Sequence, residues 1–176
     1  MKIQKCLIML VGAPGSGKSE WARRNAAGAL LVGQDELIEA ITPNGFDPAC
    51  RPVYAAAEEA IAAAGLNANY PVIIDRTNRT RALRRRWLEL AARCRCEAIA
   101  IAMTASEELC RTRNRERADH RRVSDQRMER MLRALEPPTT EEGFVAVFPE
   151  NESSLESILG FLSNMSHASH ASSRGV

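Results

Sequence analysis

The feature that most constrains the fold is the octet Gly-Ala-Pro-Gly-Ser-Gly-Lys-Ser at residues 12–19, which directly follows the apolar run of residues 6–11. A short apolar run closed by glycine is typical of a buried strand, because it has no room for helical amphipathicity. The octet fits the pattern Gly-x4-Gly-Lys-Ser, in which backbone N–H groups turn inward at the start of a helix and hold phosphate. The sequence therefore predicts a strand, a phosphate-binding loop (P-loop) and a helix, in that order.

Strands and helices alternate along the rest of the chain. Apolar runs predict further strands at 30–32, 72–75, 98–103 and 144–148. Helical patterns predict helices from about 17, from 34, after Pro52, and at 80–94, 106–117 and 124–135. This alternation predicts an α/β fold of the P-loop NTPase type, with a mainly parallel five-stranded sheet flanked by helices and a basic helical lid.

The length of 176 residues fits one domain. We expect residues 1–162 to form a P-loop kinase domain, and the low-complexity residues 163–176 to form a disordered tail. The amino-terminal apolar run is far shorter than the roughly 20 residues of a membrane span, so no membrane association is expected. The five scattered cysteines suggest reduced thiols and hence an intracellular location, cytoplasmic or nuclear.

The basic residues are unevenly distributed. Residues 76–133 hold 17 arginines against eight carboxylates, although the whole chain has a net charge of only +2. Such a segment suggests an anionic partner, although solvated helix faces would also explain it. Only three of the 24 basic residues are lysines, and one of them, Lys18, lies inside the P-loop. A compact ammonium group suits the space between phosphate oxygens there.

The P-loop predicts a nucleoside triphosphate ligand. Lys18 would reach the β- and γ-phosphates, and the Ser19 hydroxyl would bind Mg²⁺. The chain lacks the Asn-Lys-x-Asp motif that GTPases use to read guanine. The strand at 72–75 is followed by Arg76 and not by the glutamate usual in motor-like and AAA-type ATPases. These observations favour ATP-dependent transfer to an acceptor.

Asp35 is the candidate general base. It lies just beyond the second predicted strand, at the edge where parallel sheets assemble their sites. A carboxylate there can accept the proton of an incoming hydroxyl group. The alternative is that Asp35 caps the helix that follows it, and the two roles are compatible.

Four segments together resemble the 5′-polynucleotide kinase family. They are the P-loop at 12–19, Gln-Asp-Glu-Leu at 34–37, Ile-Ile-Asp-Arg-Thr-Asn at 73–78 and Arg-Asn-x-x-Arg at 113–117. The stretch 136–144 also looks like the end of the kinase domain in eukaryotic polynucleotide kinase–phosphatases, so the resemblance covers about residues 5–148. The P-loop is specific only for the superfamily, whereas the combination of segments is much more specific.

The resemblance implies an ATP- and Mg²⁺-dependent kinase that acts on the 5′-OH ends of DNA or RNA. Asp35 would activate the 5′-hydroxyl, and Asp75 would hold the Mg²⁺ shell together with Ser19. Arg117 would come from the lid onto the ATP phosphates, as an arginine finger does. Arg113 would pack near the adenine. The expected ATP-binding set is Gly12, Ala13, Pro14, Gly15, Ser16, Gly17, Lys18, Ser19, Arg113 and Arg117.

One position departs from the family pattern. The bacteriophage member has an arginine three residues after the base, where this chain has Ile38. Some eukaryotic members also lack that arginine, so kinase activity stays compatible with the sequence. The acceptor phosphate must then be held elsewhere, with Arg51, Arg76 and Arg79 as candidates. The full set of expected substrate-binding residues is Asp35, Arg51, Arg76, Asn78 and Arg79.

Two other functions fit parts of the pattern. A kinase for a small metabolite, such as a gluconate or shikimate kinase, shares the strand, loop and lid, and the basic segment is the main reason to prefer a polyanion. A non-catalytic nucleic-acid-binding module could retain ATP binding alone. The phosphatase motif Asp-x-Asp-Gly-Thr is absent from the sequence, so no 3′-phosphatase activity is expected.

Overall fold

The computed structural model describes residues 4–118 and 121–172, with side chains described through His167. The strands are β1 (Cys6–Val11), β2 (Leu30–Gly33), β3 (Val72–Asp75), β4 (Glu97–Ala102) and β5 (Ala146–Pro149). The helices are α1 (Lys18–Arg24), α2 (Gln34–Ile41), α3 (Arg51–Asn67), α4 (Arg81–Arg93), α5 (Glu107–Arg115), α6 (Asp125–Arg133) and α7 (Leu155–Ser172). Strands and helices alternate as the apolar runs predict.

The five strands form one sheet in the order β2-β3-β1-β4-β5, and each neighbouring pair is parallel. The predicted α/β fold with a parallel five-stranded sheet is confirmed. β1 has β3 on one side and β4 on the other, so the strand order reverses at β1. Ligands bind at such a switch point, beyond the carboxyl ends of the strands, and the P-loop follows β1 there.

Alternate residues of β1 point to opposite faces of the sheet, and both faces are buried. Leu7 and Met9 pack in a cluster with α3 and α4, which includes Trp87. Ile8 and Leu10 pack in a second cluster with Trp21 of α1 and with α7. The result is a central sheet covered by helices on both faces, which explains why β1 is apolar at every position.

A third, smaller cluster joins the P-loop to the helices that follow β4. Ala13 packs with Cys110 of α5 and Met128 of α6, and Val123 and Leu132 lie against them. Helices α5 and α6 carry three arginines each. They form the basic helical cover over the P-loop that the sequence predicts as a lid.

The sequence favours a disordered tail over 163–176, and the structure differs from that expectation over 163–172, where α7 continues to Ser172. Leu155, Ile158 and Leu162 are buried against the sheet, and Met165 lies against the same cluster. Because one face of the helix is packed in this way, the serine- and alanine-rich turns that follow extend a helix that already exists. Residues 173–176 lie outside the described residues.

Within residues 4–118 and 121–172, no helix combines the length and the apolar character needed to cross a bilayer.

Candidate active site

The P-loop wraps tightly between β1 and α1 and leaves little space for side chains. Gly15 has φ +80°, and a Cβ atom there would collide with the backbone oxygen of Cys110 in α5. Gly17 precedes α1 in the left-handed conformation, with φ 96°. Glycine is the residue that adopts both positions without strain, and the inward-facing backbone of such a loop is available to an anion.

Lys18 lies inside this loop and not in solvent. Its Nζ atom donates hydrogen bonds to the carbonyl oxygens of Gly12 (3.0 Å) and Ala13 (2.7 Å). The pKa of Lys18 is lowered to about 8, chiefly because burial disfavours its charged form and also because Arg117 lies nearby, while Asp75 and Asp35 oppose the shift. The ammonium group is therefore poorly compensated in the free protein, and a phosphate anion beside it would raise its pKa again.

Ser19 and Asp75 meet at the carboxyl ends of β1 and β3. The Ser19 hydroxyl lies beside the Asp75 carboxylate. Burial raises the pKa of Asp75, although the neighbouring Ser19 hydroxyl and the charge of Lys18 lower it. A desolvated carboxylate next to a hydroxyl group suits a hard cation that takes its other ligands from phosphate oxygens and water.

The chemistry of this pair suits a magnesium ion that arrives with a nucleotide. Among the residues that the structure describes, no group of three or more acidic, histidine or cysteine side chains could hold a metal by itself. Mg²⁺ is usually bound by one or two carboxylates together with substrate phosphates and not by a closed protein cage. Ser19 and Asp75 fit that kind of site.

Asp35 stands at the same edge of the sheet, on the first turn of α2. The parallel register puts Gly33 opposite Asp75, so Asp35 follows two residues beyond the strand end. Its side chain is exposed, and its charge is felt by both Lys18 and Asp75. The capping alternative is wrong, since Gly33 is the residue at the N-cap of α2 and no side-chain cap bond is formed there.

The two arginines of the Arg-Asn-x-x-Arg segment lie on the lid side of the P-loop. Arg117 is close enough to Lys18 to depress its pKa. The Nη1 atom of Arg113 would lie 3.6 Å from a Cβ at Gly17. Between them Asn114 is buried and pairs with the backbone of Val123 through both its amide nitrogen (2.7 Å) and its oxygen (3.1 Å). Asn114 therefore closes the loop that carries Arg117, a positioning role that the sequence pattern alone did not indicate.

The expected acceptor-binding residues fall in different environments. Arg76 donates to Glu58 (2.5 Å), a buried carboxylate of α3 that also accepts from Arg86 (2.7 Å). Arg51 lies over the ring of Phe46, 5.3 Å from its centroid. Both guanidinium groups thus already have partners.

Asn78 and Arg79 follow Asp75 on the loop between β3 and α4. The Asn78 side chain is buried and donates to the carbonyl oxygen of Leu10 (2.8 Å), which favours a role in positioning the loop over direct contact with a substrate. Arg79 is partly buried, and its Nε atom has no hydrogen-bond partner among the described residues. Of the three candidate phosphate clamps, Arg79 is the one whose guanidinium group is not occupied by a carboxylate or a ring.

Arg84 supports the same loop from α4. Its guanidinium group is fully buried, forms a double hydrogen bond with Glu142 (2.7 Å each), and donates to the carbonyl oxygens of Asn78 and Glu136 (2.9 Å each). The sequence shows Arg84 only as the first of three consecutive arginines. Its burial could not be read from that run.

The fold recurs in solved structures of kinases. A putative kinase from Chloroflexus aurantiacus J-10-fl is 21% identical with a TM-score of 0.67, and the match covers 92% of this chain and 98% of that chain. A gluconokinase from Sinorhizobium meliloti 1021 is 20% identical with a TM-score of 0.58 and 98% coverage of both chains.

A chain of the Pnkp1/Rnl/Hen1 RNA repair complex is 23% identical with a TM-score of 0.67. That match covers 77% of this chain but only 45% of the other chain. At these identities the likeness establishes the fold alone. No curated protein sequence gives a significant match to this chain.

A family model described as an AAA domain, AAA_33, matches residues 7–138. The matched region runs from β1 to beyond α6 and contains the P-loop, Asp35, Asp75 and Arg117. The chain therefore belongs to the AAA_33 family of AAA domains and has the fold of a P-loop kinase.

Proposed function

We propose that this protein is an ATP-dependent kinase that transfers the γ-phosphoryl group to the 5′-hydroxyl end of DNA or RNA. The observation that carries the proposal is the meeting of four chemical groups at one edge of the sheet. These are the ammonium group of Lys18, the Ser19–Asp75 pair, the exposed Asp35 carboxylate and the Arg117 guanidinium group. This is the set of groups that phosphoryl transfer to a hydroxyl requires.

Asp35 has the position of the general base. The acceptor hydroxyl oxygen attacks the γ-phosphorus, its proton passes to a carboxylate oxygen of Asp35, and the bond from the γ-phosphorus to the bridging oxygen breaks to release ADP. Because Asp35 lies on an exposed turn of α2, a bulky acceptor such as a polynucleotide end could reach it.

Lys18 and Arg117 would stabilise the negative charge that spreads over the phosphoryl oxygens in the transition state. Lys18 would exchange its bonds to Gly12 and Ala13 for bonds to phosphate oxygens. Mg²⁺, which Ser19 and Asp75 would hold, would supply further neutralisation of the phosphate charge when bound with ATP.

A polynucleotide acceptor is favoured by the arginine-rich surface of α5 and α6 beside the P-loop. The fold match to a chain of the Pnkp1/Rnl/Hen1 RNA repair complex also supports it. Over half of that chain has no counterpart here, so the match supports a kinase unit and not the other activities of such an assembly.

A second candidate is a kinase for a small hydroxylated metabolite. The observation in its favour is the end-to-end match to the S. meliloti gluconokinase, which leaves almost no residue of either chain unmatched. The two candidates share the proposed chemistry at Asp35 and differ only in the acceptor.

A transfer assay with γ-labelled ATP and Mg²⁺ separates these possibilities. The acceptors are a 5′-OH oligonucleotide, the same oligonucleotide with a 5′-phosphate, gluconate and shikimate. We expect label on the 5′-OH oligonucleotide alone. Label on gluconate or shikimate and not on the oligonucleotide would establish the second candidate instead.

Asp35→Asn and Glu36→Gln form a matched pair for this assay. Both remove one carboxylate from the exposed first turn of α2. Asp35→Asn should lower turnover by about 10²-fold or more while ATP binding persists, as loss of a general base does. Glu36→Gln should keep most of the activity. Equal activity of the two variants would contradict the role of Asp35, and no transfer by the wild type would favour a binding module.

A further inference from the structure

Three arginines from distant parts of the sequence converge in one surface cleft. Arg79, on the loop after β3, faces Arg127 and Arg130 of α6, and Met131 and Ala134 complete the lining. We call this the Arg79–Arg130 cleft. The residues from α6 recur every three or four positions, so they share one face of that helix.

No carboxylate of the described residues pairs with the arginines that line the cleft. Eight other arginines between residues 76 and 133 form ion pairs with glutamates in the described part of the chain. Within that same part, none of Arg79, Arg127 and Arg130 forms an ion pair, and the Nε atom of Arg79 is enclosed without an acceptor. A buried donor without a partner calls for an explanation, and an anionic ligand supplies one.

The cleft lies next to the phosphoryl-transfer site. Arg79 is four residues beyond Asp75, so their Cα atoms are at most about 14 Å apart. The backbone oxygen of Arg79 accepts from the amide of Glu136 (2.8 Å), which fixes this loop against the segment after α6. On the same helix, Met128 packs against Ala13 of the P-loop. An acceptor seated at Asp35 could therefore extend toward the cleft.

We propose that the Arg79–Arg130 cleft binds a phosphodiester of the acceptor strand, one or a few nucleotides from the 5′-hydroxyl. This inference rests on the proposed function and specifies how the acceptor is held. Guanidinium groups bind phosphate through paired hydrogen bonds, and three of them suit a polyanion better than a single carboxylate. Met131 and Ala134 offer an apolar floor for the sugar. The site would supply the phosphate clamp that Ile38 cannot.

The test compares two variants of α6. The double variant Arg127→Ala/Arg130→Ala removes two charges from the cleft. Arg133→Ala is the control, because its side chain lies on the same helix, is 80% exposed and pairs with Glu129 outside the cleft. Fluorescence anisotropy measures the binding of a labelled single-stranded 5′-OH oligonucleotide over a range of salt concentrations. Steady-state kinetics with a dinucleotide and with longer 5′-OH oligonucleotides measures KM and kcat for the acceptor.

The double variant should bind the oligonucleotide at least about tenfold more weakly. The slope of log K against log salt should become shallower by about 0.7 for each phosphate that the protein no longer neutralises. The acceptor KM of the double variant should rise, with kcat and the KM for ATP near those of the wild type. Arg133→Ala should match the wild type. Arg79→Ala should show the same rise in acceptor KM.

The possible outcomes separate this inference from the function on which it rests. If the wild type phosphorylates oligonucleotides and the double variant has an unchanged acceptor KM and salt slope, the cleft does not bind the acceptor strand and the proposed function stands. If the wild type transfers no phosphate but its oligonucleotide binding depends on the cleft, the cleft is a binding site for the strand and the proposed function is wrong. If oligonucleotide binding depends on Arg133 as much as on the cleft, the strand is held only by the diffuse positive charge of the surface, and the proposal of a specific site in the cleft is wrong.

Discussion

Replacing Arg84 with alanine is expected to destabilise the protein severely and to disturb the loop that follows Asp75 and carries Asn78. The Arg84 side chain has no exposed surface, and its guanidinium group donates four hydrogen bonds. Two of them reach Glu142, which is itself only 5% exposed. Removing the arginine leaves that carboxylate buried without its cation and leaves the carbonyl oxygens of Asn78 and Glu136 without a donor.

Removal of one partner from a buried ion pair typically costs about 3–5 kcal/mol, because the other charge stays desolvated. A domain of this kind has a total stability of about 5–15 kcal/mol, so the loss is a large share of it. With a urea m-value of about 2 kcal/mol per molar, the midpoint of unfolding should fall by about 2 M. Equilibrium urea unfolding at pH 7, followed by circular dichroism, measures this shift.

Arg85→Ala is the matched control, since Arg85 is the next residue of α4 and its side chain is 80% exposed. Its pair with Glu89 is a surface contact worth about 0.3–0.5 kcal/mol, so the midpoint should move by less than about 0.3 M. Arg84→Met combined with Glu142→Leu should recover much of the loss, because no buried charge remains. A cost below about 1 kcal/mol for Arg84→Ala would refute the view that Arg84 anchors the site loop.

Three further predictions concern the site itself. The affinity for ATP should be constant below pH 8 and fall by up to about tenfold per pH unit above it. The reason is that the pKa of Lys18 is lowered to about 8 in the free protein, chiefly by burial, and is raised again by bound phosphate. Calorimetry from pH 7 to 10 should show this decrease in affinity for the wild type and none for Lys18→Arg. Asp75→Asn should unfold at the same or a higher temperature than the wild type, because burial raises the pKa of this carboxyl group and so disfavours its charged form. The variant should nevertheless lose Mg²⁺-dependent turnover. A lower Tm would contradict the view that burial of the charged Asp75 side chain is unfavourable. Arg117→Ala should lose about 10³-fold in turnover with little change in Tm. Arg115→Ala is the control, because the Arg115 side chain is exposed, and its turnover should be nearly that of the wild type. An unfolded Arg117→Ala variant would show a structural role for Arg117 instead.

The fold was predictable because its signals are local. The apolar run at 6–11 closed by glycine predicts β1, and the lengths of the other runs predict the parallel strands within one or two residues. The position of Asp35 beside the P-loop follows from the same logic, since parallel strands end at one edge of the sheet. The structure was needed to show that the Asp35 side chain is exposed and that Gly33, not Asp35, occupies the N-cap position of α2.

The pairing of arginines was not predictable from the sequence, because it depends on contacts between distant residues. Arg76 and Arg79 look equivalent in the sequence, yet Arg76 is bound by Glu58 of α3 and Arg79 is not bound by a carboxylate among the described residues. Likewise, nothing near Arg79 in the sequence points to α6, which begins 46 residues later. Long-range contacts of this kind carry no local periodicity.

The helix at the carboxyl end was not predictable from composition. The serine, alanine and histidine content of residues 163–172 indicates low complexity, and the periodic apolar signal lies only in the residues before this stretch. Leu155, Ile158 and Leu162 recur at helical spacing and predict one buried face. A packed amphipathic turn can extend into a polar sequence, because elongation of a helix costs less than its nucleation.

The most direct measurement of the proposed activity uses one oligonucleotide with a 5′-hydroxyl and a 3′-phosphate, incubated with the full chain, ATP and Mg²⁺ and resolved by mass spectrometry with fragment sequencing. We predict the gain of one phosphoryl group at the 5′ end, an unchanged 3′-phosphate, and no gain with Asp35→Asn. Loss of the 3′-phosphate would reveal a second activity, for which the sequence carries no phosphatase motif. An unmodified oligonucleotide, under conditions in which the same preparation phosphorylates gluconate or shikimate, would contradict the proposed polynucleotide kinase activity.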